Sequence, residues 1–262
     1  MTDLLQVLLL GLIEGITEFL PISSTGHLLI AEKLGLGMRS DVFNVVIQAG
    51  AILAVTVLYW PRIWKLASES HRPENRDYTL KLMLAFVITG VLGLIITKLG
   101  FKLPTEITPV AWALLIGGFW MLAAESLAAK KPDRSEITWT VAILVGLAQI
   151  VAAIFPGTSR SAATIFVAML AGTSNRAAAT EFAFLVGIPT MFAASGKLLY
   201  DVFKHGNVGA ENWGDLGIAF VVSTITAFIA VKWLLRYIQT HRFTLFAWYR
   251  IALGAALLLY LH

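Results

Sequence analysis

Long apolar runs separated by short polar breaks dominate the chain. The ten runs are 4–20, 28–36, 42–60, 80–99, 109–128, 137–155, 162–172, 178–200, 216–236 and 245–261. Because a membrane-spanning helix needs about 20 apolar residues, we predict six spans: 42–60, 80–99, 109–128, 178–200, 216–236 and 245–261. The runs 28–36 and 162–172 are too short to span, and each follows a polar break that contains a proline.

The chain repeats itself after 135 residues, and Gln149 stands opposite Glu14 in that repeat. Its matches are Gly11 with Gly146, Pro21 with Pro156, Ser24 with Ser159, and Gly37 with Gly172. A repeat of this length indicates two copies of one unit, here residues 1–128 and 129–262, interlocked in one domain. Each copy is predicted to be a helix–loop–helix hairpin, 4–36 or 137–172, followed by three spans.

Both hairpins are predicted to be re-entrant. Broken helices at matching positions of two halves point to a site near the bilayer midplane. Irregular backbone at that depth must be buried in protein or line a water-filled cavity. Since three spans separate the hairpins, the two copies would be inverted in the membrane. The predicted fold is an all-α integral membrane protein with two inverted repeats, ten helices and six spans.

Basic residues orient this topology, because cytoplasmic loops carry an excess of Lys and Arg. One predicted side carries eleven of them: Arg62, Lys65, Arg72, Arg76, Lys81, Lys130, Lys131, Arg134, Arg176, Arg236 and Arg242. The other side carries five: Lys33, Arg39, Lys98, Lys102 and Lys204. We therefore predict that the first side is cytoplasmic and that the hairpin tips meet in the membrane from opposite sides.

The composition supports a membrane protein. The chain is 58% hydrophobic and 14% charged, with a mean hydropathy of +0.77; an ordinary soluble domain is about 45–50% apolar. The formal net charge of +4 is modest, and we expect membrane lipid and not nucleic acid as the partner. There is no cysteine, which excludes disulfides and thiolate metal sites.

Glu14 and Glu18 in the first hairpin are candidates for metal binding. Four residues apart, they lie on one helical face, and each charge at membrane depth costs about 2.5–3.5 kcal/mol. A divalent cation, Mg²⁺ or Ca²⁺, would relieve their repulsion. Ser24 and His27 follow on one face of the next helix and could act as nucleophile and proton acceptor.

Arg160 at the second tip completes a predicted anion site. A new helix begins after each break, so two helix N-termini point at the membrane centre, where unpaired N–H groups favour phosphate. Mg²⁺ is typically bound by one or two carboxylates plus substrate phosphates. The predicted chemistry is metal-assisted phosphoryl transfer on a membrane-embedded substrate, with these phosphate-binding residues: Ser23, Thr25, Gly26, Gly157, Thr158, Ser159 and Ser161.

Structural alternatives exist for several of these residues. Glu14 could pair with a buried arginine as a structural tie, and His27 could be a satisfied core histidine. The hydroxyl residues could be ordinary helix N-caps: Ser23, Ser24, Thr25, Ser159 and Ser161. Other polar residues are predicted to hold helices in register inside the membrane: Gln48, Glu125, Glu181 and Arg250.

The chain resembles the undecaprenyl-diphosphate phosphatase family, also called the bacitracin-resistance (BacA/UppP) proteins. The resemblance is carried by EGITEFLPISSTGH at Glu14–His27 and PGTSRSAATI at Pro156–Ile165. It continues at Phe43–Gln48, Glu181–Leu185 and Tyr249-Arg250, and so covers nearly the whole chain. Two positions depart from the family pattern: Ala162 replaces a glycine, and Ala183 replaces a serine.

The resemblance implies an inner-membrane hydrolase that converts undecaprenyl diphosphate into undecaprenyl phosphate, the lipid carrier for peptidoglycan, and confers bacitracin resistance. It implies a divalent cation, a homodimer and an active site open to the periplasm. It also implies the catalytic set Glu14, Glu18, Ser24, His27 and Arg160. The nucleophile stays open between Ser24, His27 and a water.

Two other classes of protein share parts of this pattern. Inverted repeats with broken helices are also typical of secondary transporters and lipid flippases, but transport needs no nucleophile beside paired glutamates. A type-2 phosphatidic-acid phosphatase would need a further histidine soon after Arg160, and the next one is His205. We therefore reject the second class and keep the first as the rival.

Overall fold

The computed structural model describes residues 3–100, 106–204 and 212–260. Lys102 and the end of the predicted span 245–261 lie outside these residues. The described residues form eleven α-helices and no strand, which confirms the all-α prediction. The helices are α1 (Asp3–Thr17), α2 (Ser24–Ala31), α3 (Asp41–Leu58), α4 (Trp60–Ser68), α5 (Pro73–Lys98), α6 (Ile107–Ala128), α7 (Trp139–Ile154), α8 (Arg160–Ala171), α9 (Arg176–Lys204), α10 (Trp213–Thr240) and α11 (Thr244–Tyr260).

The prediction of ten helices was wrong by one, because α4 lies in a segment that we assigned to a loop. This helix begins with Trp60 and Pro61, and proline is well tolerated in a first turn. Its apolar residues Trp60, Ile63, Trp64 and Ala67 recur every three or four residues, with polar residues between them. They therefore form one face and not a continuous run, which the search for long runs overlooks.

Among the described residues, five helices are long and apolar enough to cross a membrane by length and composition, namely α3, α5, α6, α9 and α10. We had predicted six spans. The predicted sixth span corresponds to α11, which has 17 described residues. At 1.5 Å per residue, α11 is about 26 Å long, slightly short of a 30 Å hydrocarbon core. The chain is a multi-pass membrane protein by this criterion.

The first helix of each hairpin packs against a helix far away in sequence. α1 contacts α10 and α7 contacts α5, while α6 and α11 pack against each other. Glycines allow the close approach: a Cβ at Gly15 would lie 2.6 Å from the Ser223 carbonyl oxygen, and one at Gly146 would lie 2.9 Å from that of Ala85. The Gly-x-x-x-Gly spacing of Gly11 and Gly15 thus marks a helix contact, as such spacings do in membranes.

Two ion pairs connect further pairs of helices. Arg176 donates two hydrogen bonds to Glu125, at 2.9 and 2.8 Å, and Arg62 donates to Glu181 at 2.9 Å. Glu125 also accepts from the Phe243 backbone N–H at 2.9 Å. The prediction that Glu125 and Glu181 are structural partners between helices is confirmed.

Candidate active site

The chain breaks twice, between α1 and α2 and between α7 and α8, and each break ends in a serine N-cap. The Ser23 hydroxyl accepts from Gly26 N–H and that of Ser159 from Ala162 N–H. Both serines have positive φ, 76° and 67°, a rare conformation for a residue other than glycine. The N-cap interpretation is therefore confirmed for Ser23 and Ser159.

The caps correct the sequence alignment of the two tips. The repeat pairs Ser24 with Ser159, but the structural counterpart of Ser159 is Ser23. The reason is that the second break has one more residue between its proline and its cap. As a consequence, Ser24 and Arg160 hold the same position, the first residue of α2 and of α8.

The two breaks meet at one cavity of about 340 Å³, hereafter the tip cavity. Residues of both hairpins line it: Glu18, Ser23, Ser24, Thr25, Pro156, Gly157, Ser159 and Arg160. Three more residues of the second hairpin, on α7, also line it: Gln149, Ala152 and Ala153. Residues of other helices complete the lining: Gln48, Thr89, Thr190 and Ala194. The predicted meeting of the two tips is thus present, and Gln48, which we predicted to hold helices in register, lies in the cavity wall.

Glu18 joins the two tips through its carboxylate. Arg160 donates to Oε1 of Glu18, and the Ser24 hydroxyl donates to Oε2. The Glu18 side chain is 3% exposed and that of Arg160 is 27% exposed. A carboxylate that accepts a hydrogen bond from a serine hydroxyl is placed to take the proton of that hydroxyl when the serine attacks.

Glu14 lies one turn before Glu18 and is 2% exposed. Within the described residues its Oε2 has no hydrogen-bond partner, so the alternative of a Glu14–arginine tie is not what the structure shows. An unpaired buried oxygen of this kind costs about 1–3 kcal/mol. A cation would satisfy it, and Glu14 and Glu18 together offer the two carboxylates that Mg²⁺ takes beside phosphate oxygens.

The described residues contain no group of three or more His, Cys, Asp or Glu side chains that could hold a metal ion. A cage made of protein ligands alone is therefore not built here. The donor set fits a cation that shares its coordination with a phosphate, which is the usual arrangement for Mg²⁺. Ca²⁺ takes six to eight oxygens and fits two carboxylates less well.

His27 is engaged on both ring nitrogens. Nδ1 lies 2.7 Å from the Ser23 carbonyl oxygen and Nε2 lies 2.7 Å from the Tyr249 hydroxyl. The Ser24 hydroxyl is bonded to Glu18, so the structure does not bring Ser24 and His27 together as a nucleophile–base pair. Tyr249 is a partner that sequence reasoning missed, and its only signal was the Tyr-Arg pair in the family pattern.

Arg250 is fully buried and braces both breaks from behind. Its guanidinium donates at 2.9–3.4 Å to four backbone carbonyl oxygens, those of Pro21, Ala113, Gly157 and Thr158. Because charged donors make hydrogen bonds about twice as strong as neutral ones, this residue fixes the irregular backbone of the two tips. The prediction that Arg250 holds helices in register is confirmed, and the structure adds that it holds the tips.

The remaining residues that we predicted to bind phosphate differ in what they contact. Ser161 donates to the Leu20 carbonyl oxygen at 3.0 Å and so ties the second tip to the first. Gly157 has φ 94°, and a Cβ there would lie 2.8 Å from the Val110 carbonyl oxygen, so only glycine fits. Thr25 is exposed at the cavity, and the backbone of Thr158 serves Arg250.

An apolar groove of about 510 Å³ lies beside the tip cavity. Its wall comes from α6, α7 and α8 and includes Trp112, Ile116, Val151 and Phe155. These four side chains are 48–62% exposed, and exposed apolar surface of a membrane protein faces lipid. Pro156 lines both the groove and the tip cavity, so the two lie side by side.

Comparison with known proteins gives matches over the full length. The family described as bacitracin resistance protein BacA matches residues 7–256. Undecaprenyl-diphosphatase of Xanthomonas oryzae pv. oryzae strain PXO99A is 62% identical over 261 residues, covering 100% of this chain and 98% of the relative. Undecaprenyl-diphosphatase of Rhizobium etli strain CIAT 652 is 68% identical over 256 residues, covering 98% and 96%.

Proposed function

The chain belongs to the bacitracin resistance protein BacA family, and from this membership and the geometry of the tips we propose that it is an undecaprenyl-diphosphate phosphatase. It removes the terminal phosphate from undecaprenyl diphosphate, returns undecaprenyl phosphate to cell-wall synthesis and thereby confers resistance to bacitracin. The single observation that carries this proposal is Glu18, which accepts from Ser24 and from Arg160 at one polar cavity inside an apolar bundle.

The tip cavity is suited to the diphosphate. Arg160 supplies a guanidinium, which matches phosphate oxygens, and α2 and α8 direct their N-termini at the cavity, where N–H groups favour anions. The Arg250 guanidinium lies behind the same backbone and adds positive charge. We infer that these groups bind the phosphates while Glu14 and Glu18 hold a divalent cation, best Mg²⁺, which would neutralise charge on the phosphate oxygens.

Ser24 is the nucleophile that the geometry favours. Its oxygen attacks the terminal phosphorus while its proton passes to Glu18, and the bridging P–O bond breaks so that undecaprenyl phosphate leaves with the electron pair. Water then attacks the phosphoserine, Glu18 returns its proton to Ser24, and inorganic phosphate leaves. His27, held by Tyr249 and the Ser23 carbonyl, stabilises the cap of α2 in this scheme.

The isoprene units nearest the diphosphate lie in the apolar groove. The groove opens toward lipid and adjoins the tip cavity at Pro156. A chain lying there keeps its apolar surface out of water while the diphosphate occupies the polar cavity. The substrate would then enter sideways from the bilayer.

We further propose the finer topology. The packing of α1 on α10 and of α7 on α5 supports two interlocked inverted repeats, with α1–α2 and α7–α8 as re-entrant hairpins. We also propose that the protein lies in the bacterial inner membrane and that its active site opens to the periplasm. The homodimer implied by the resemblance stays a prediction, which light scattering in detergent would test.

Phosphate release from undecaprenyl diphosphate by the purified protein in detergent tests the function. We expect release that EDTA abolishes, Mg²⁺ restores and Glu18→Gln loses. A trapped phosphoserine at Ser24 would establish the nucleophile, and a fully active Ser24→Ala enzyme would exclude it. Folded protein that releases no phosphate would overturn the phosphatase and favour the rival lipid transporter, to be measured as flux across liposomes.

A further inference from the structure

Gln149 lines the tip cavity but has no part in the chemistry described so far. It lies on α7 and is 2% exposed. Its amide nitrogen donates to the Thr89 hydroxyl oxygen at 2.8 Å and reaches that of Thr190 at 3.5 Å. Its carbonyl oxygen, Oε1, is buried and has no partner among the described residues.

The two threonines determine which way the amide points. The Thr89 hydroxyl lies 2.9 Å from the Ala85 carbonyl oxygen and 3.0 Å from that of Gly146 and donates its hydrogen to this pair of acceptors, and that of Thr190 donates to Val186 O at 2.8 Å. Since a hydroxyl has one hydrogen, both threonine oxygens are left to accept from Gln149. The two amide hydrogens therefore face the threonines, and the carbonyl oxygen is left for a donor in the cavity.

A water molecule can supply that donor. A buried carbonyl without a partner is destabilising, and the substrate cannot supply the partner, because ionised phosphate oxygens accept hydrogen bonds and do not donate them. Hydrolysis itself needs a water next to phosphorus, whether it attacks the diphosphate directly or the phosphoserine. We propose that Gln149 is a positioning residue whose Oε1 accepts a hydrogen bond from the attacking water and directs the water's lone pair at phosphorus.

This inference rests on the proposed function. The hydrolysis step balances without any change in the protonation of Gln149. The water oxygen forms a bond to phosphorus while the bond from phosphorus to Ser24 Oγ breaks, and Oγ keeps that electron pair and takes the proton held by Glu18. One water proton stays on the inorganic phosphate, and the other is released to solvent. On the direct route the bond that breaks is the one to undecaprenyl phosphate.

The test is Gln149→Met, which keeps the side chain's length and removes its acceptor. We expect kcat for phosphate release to fall about tenfold to a hundredfold, in line with a misplaced reacting group. KM for undecaprenyl diphosphate should fall with kcat on the phosphoserine route, where only the second step is slowed, and stay near wild type on the direct route. On the phosphoserine route, one equivalent of undecaprenyl phosphate should appear in a burst, with Ser24 phosphorylated by mass spectrometry. A fall in kcat without a burst supports the same role on the direct route.

Thr89 provides a second, independent variant. Thr89→Val removes an oxygen that orients the amide, so kcat should fall in the same direction by less, and Thr89→Ser should restore it. Thr97→Val is the matched control, because Thr97 lies on the same helix and its hydroxyl donates only to the Gly93 carbonyl oxygen in the described structure. Its kcat should equal that of wild type.

Several results would overturn the proposal. These are an unchanged kcat in Gln149→Met, a rise in KM alone, and a loss that follows a lower melting temperature. A higher Mg²⁺ requirement with normal kcat at saturation would assign Oε1 to the cation and also overturn it. Wild-type protein that releases no phosphate would remove the proposed function itself, and that measurement comes first.

Discussion

Arg160 at the second tip donates to Glu18 at the first, although the two residues are 142 positions apart. The pair connects the two hairpins at the tip cavity, beside the hydrogen bond from Ser161 to the Leu20 carbonyl oxygen. It also holds the carboxylate whose other oxygen accepts from Ser24. Binding a phosphate on Arg160 is therefore coupled to the group that would accept the serine proton.

Arg160→Gln should lower kcat/KM for undecaprenyl diphosphate about 10²- to 10³-fold, the size seen when a donor to a developing oxyanion is removed. The measurement is phosphate release in detergent. Arg62→Gln is the matched control, because Arg62 also pairs with a glutamate and its side chain is 30% exposed, yet it lies away from the tip cavity. Equal losses in both variants would contradict a role in phosphate binding.

Glu14→Gln should raise the Mg²⁺ concentration for half-maximal activity by at least about tenfold, the lower range for losing support of a metal site. The reason is that Glu14 has the unpartnered carboxylate oxygen. Activity is measured over a Mg²⁺ titration after treatment with EDTA. Glu181→Gln, outside the cavity, should leave the titration unchanged, and a Glu14→Gln curve that overlays wild type would argue against a cation there.

Arg250→Met should destabilise the fold and abolish activity together. It removes the donors to four backbone carbonyl oxygens, two of them in buried hydrogen bonds, and each buried group left unsatisfied costs about 1–3 kcal/mol. Thermal unfolding in detergent measures the loss. Arg236→Met removes an exposed arginine and should melt like wild type, whereas an unchanged melting temperature in Arg250→Met would show that the tips do not need this brace.

Gly15→Ala should destabilise the contact between α1 and α10, because the added Cβ would lie 2.6 Å from the Ser223 carbonyl oxygen. Gly93→Ala is the matched control: a Cβ at Gly93 meets no described atom within 4 Å. There, alanine should be neutral or stabilise the helix by about 0.5–1 kcal/mol. The melting temperature of Gly15→Ala should therefore fall, whereas that of Gly93→Ala should stay the same or rise. A stabilised Gly15→Ala protein would contradict the close packing.

Val151→Trp should fill the apolar groove and raise KM for undecaprenyl diphosphate while leaving kcat near wild type. Displacing two buried methylene groups of the substrate costs about 1.6 kcal/mol, at about 0.8 each, or more than tenfold in KM. The control is Val91→Trp, since Val91 is 51% and Val151 48% exposed but only Val151 lines the groove. Equal KM values in both variants would place the tail elsewhere.

The helices, their breaks and several site residues could be predicted from the sequence, because each depends on local chemistry. Long apolar runs require helices in a membrane, and a proline with polar residues between two such runs requires a break. Serine before a helix start predicts a cap, which Ser23 and Ser159 provide. Glu14, Glu18 and Arg160 stood out because charged groups in apolar segments are costly unless they have a function.

Only the tertiary structure decided how these groups meet. Spacing places Ser24 and His27 on one face of a helix, but the partners of each side chain depend on what packs against that face. In the structure Ser24 donates to Glu18, and His27 is hydrogen-bonded to Tyr249. The one-residue shift between the caps, the brace of Arg250 and the oriented amide of Gln149 depend likewise on contacts between distant segments. Local sequence determines where a helix begins and breaks, whereas hydrogen bonds across the fold determine which polar group is left free for a ligand, because each donor and acceptor can be satisfied by any neighbour that packing brings within reach.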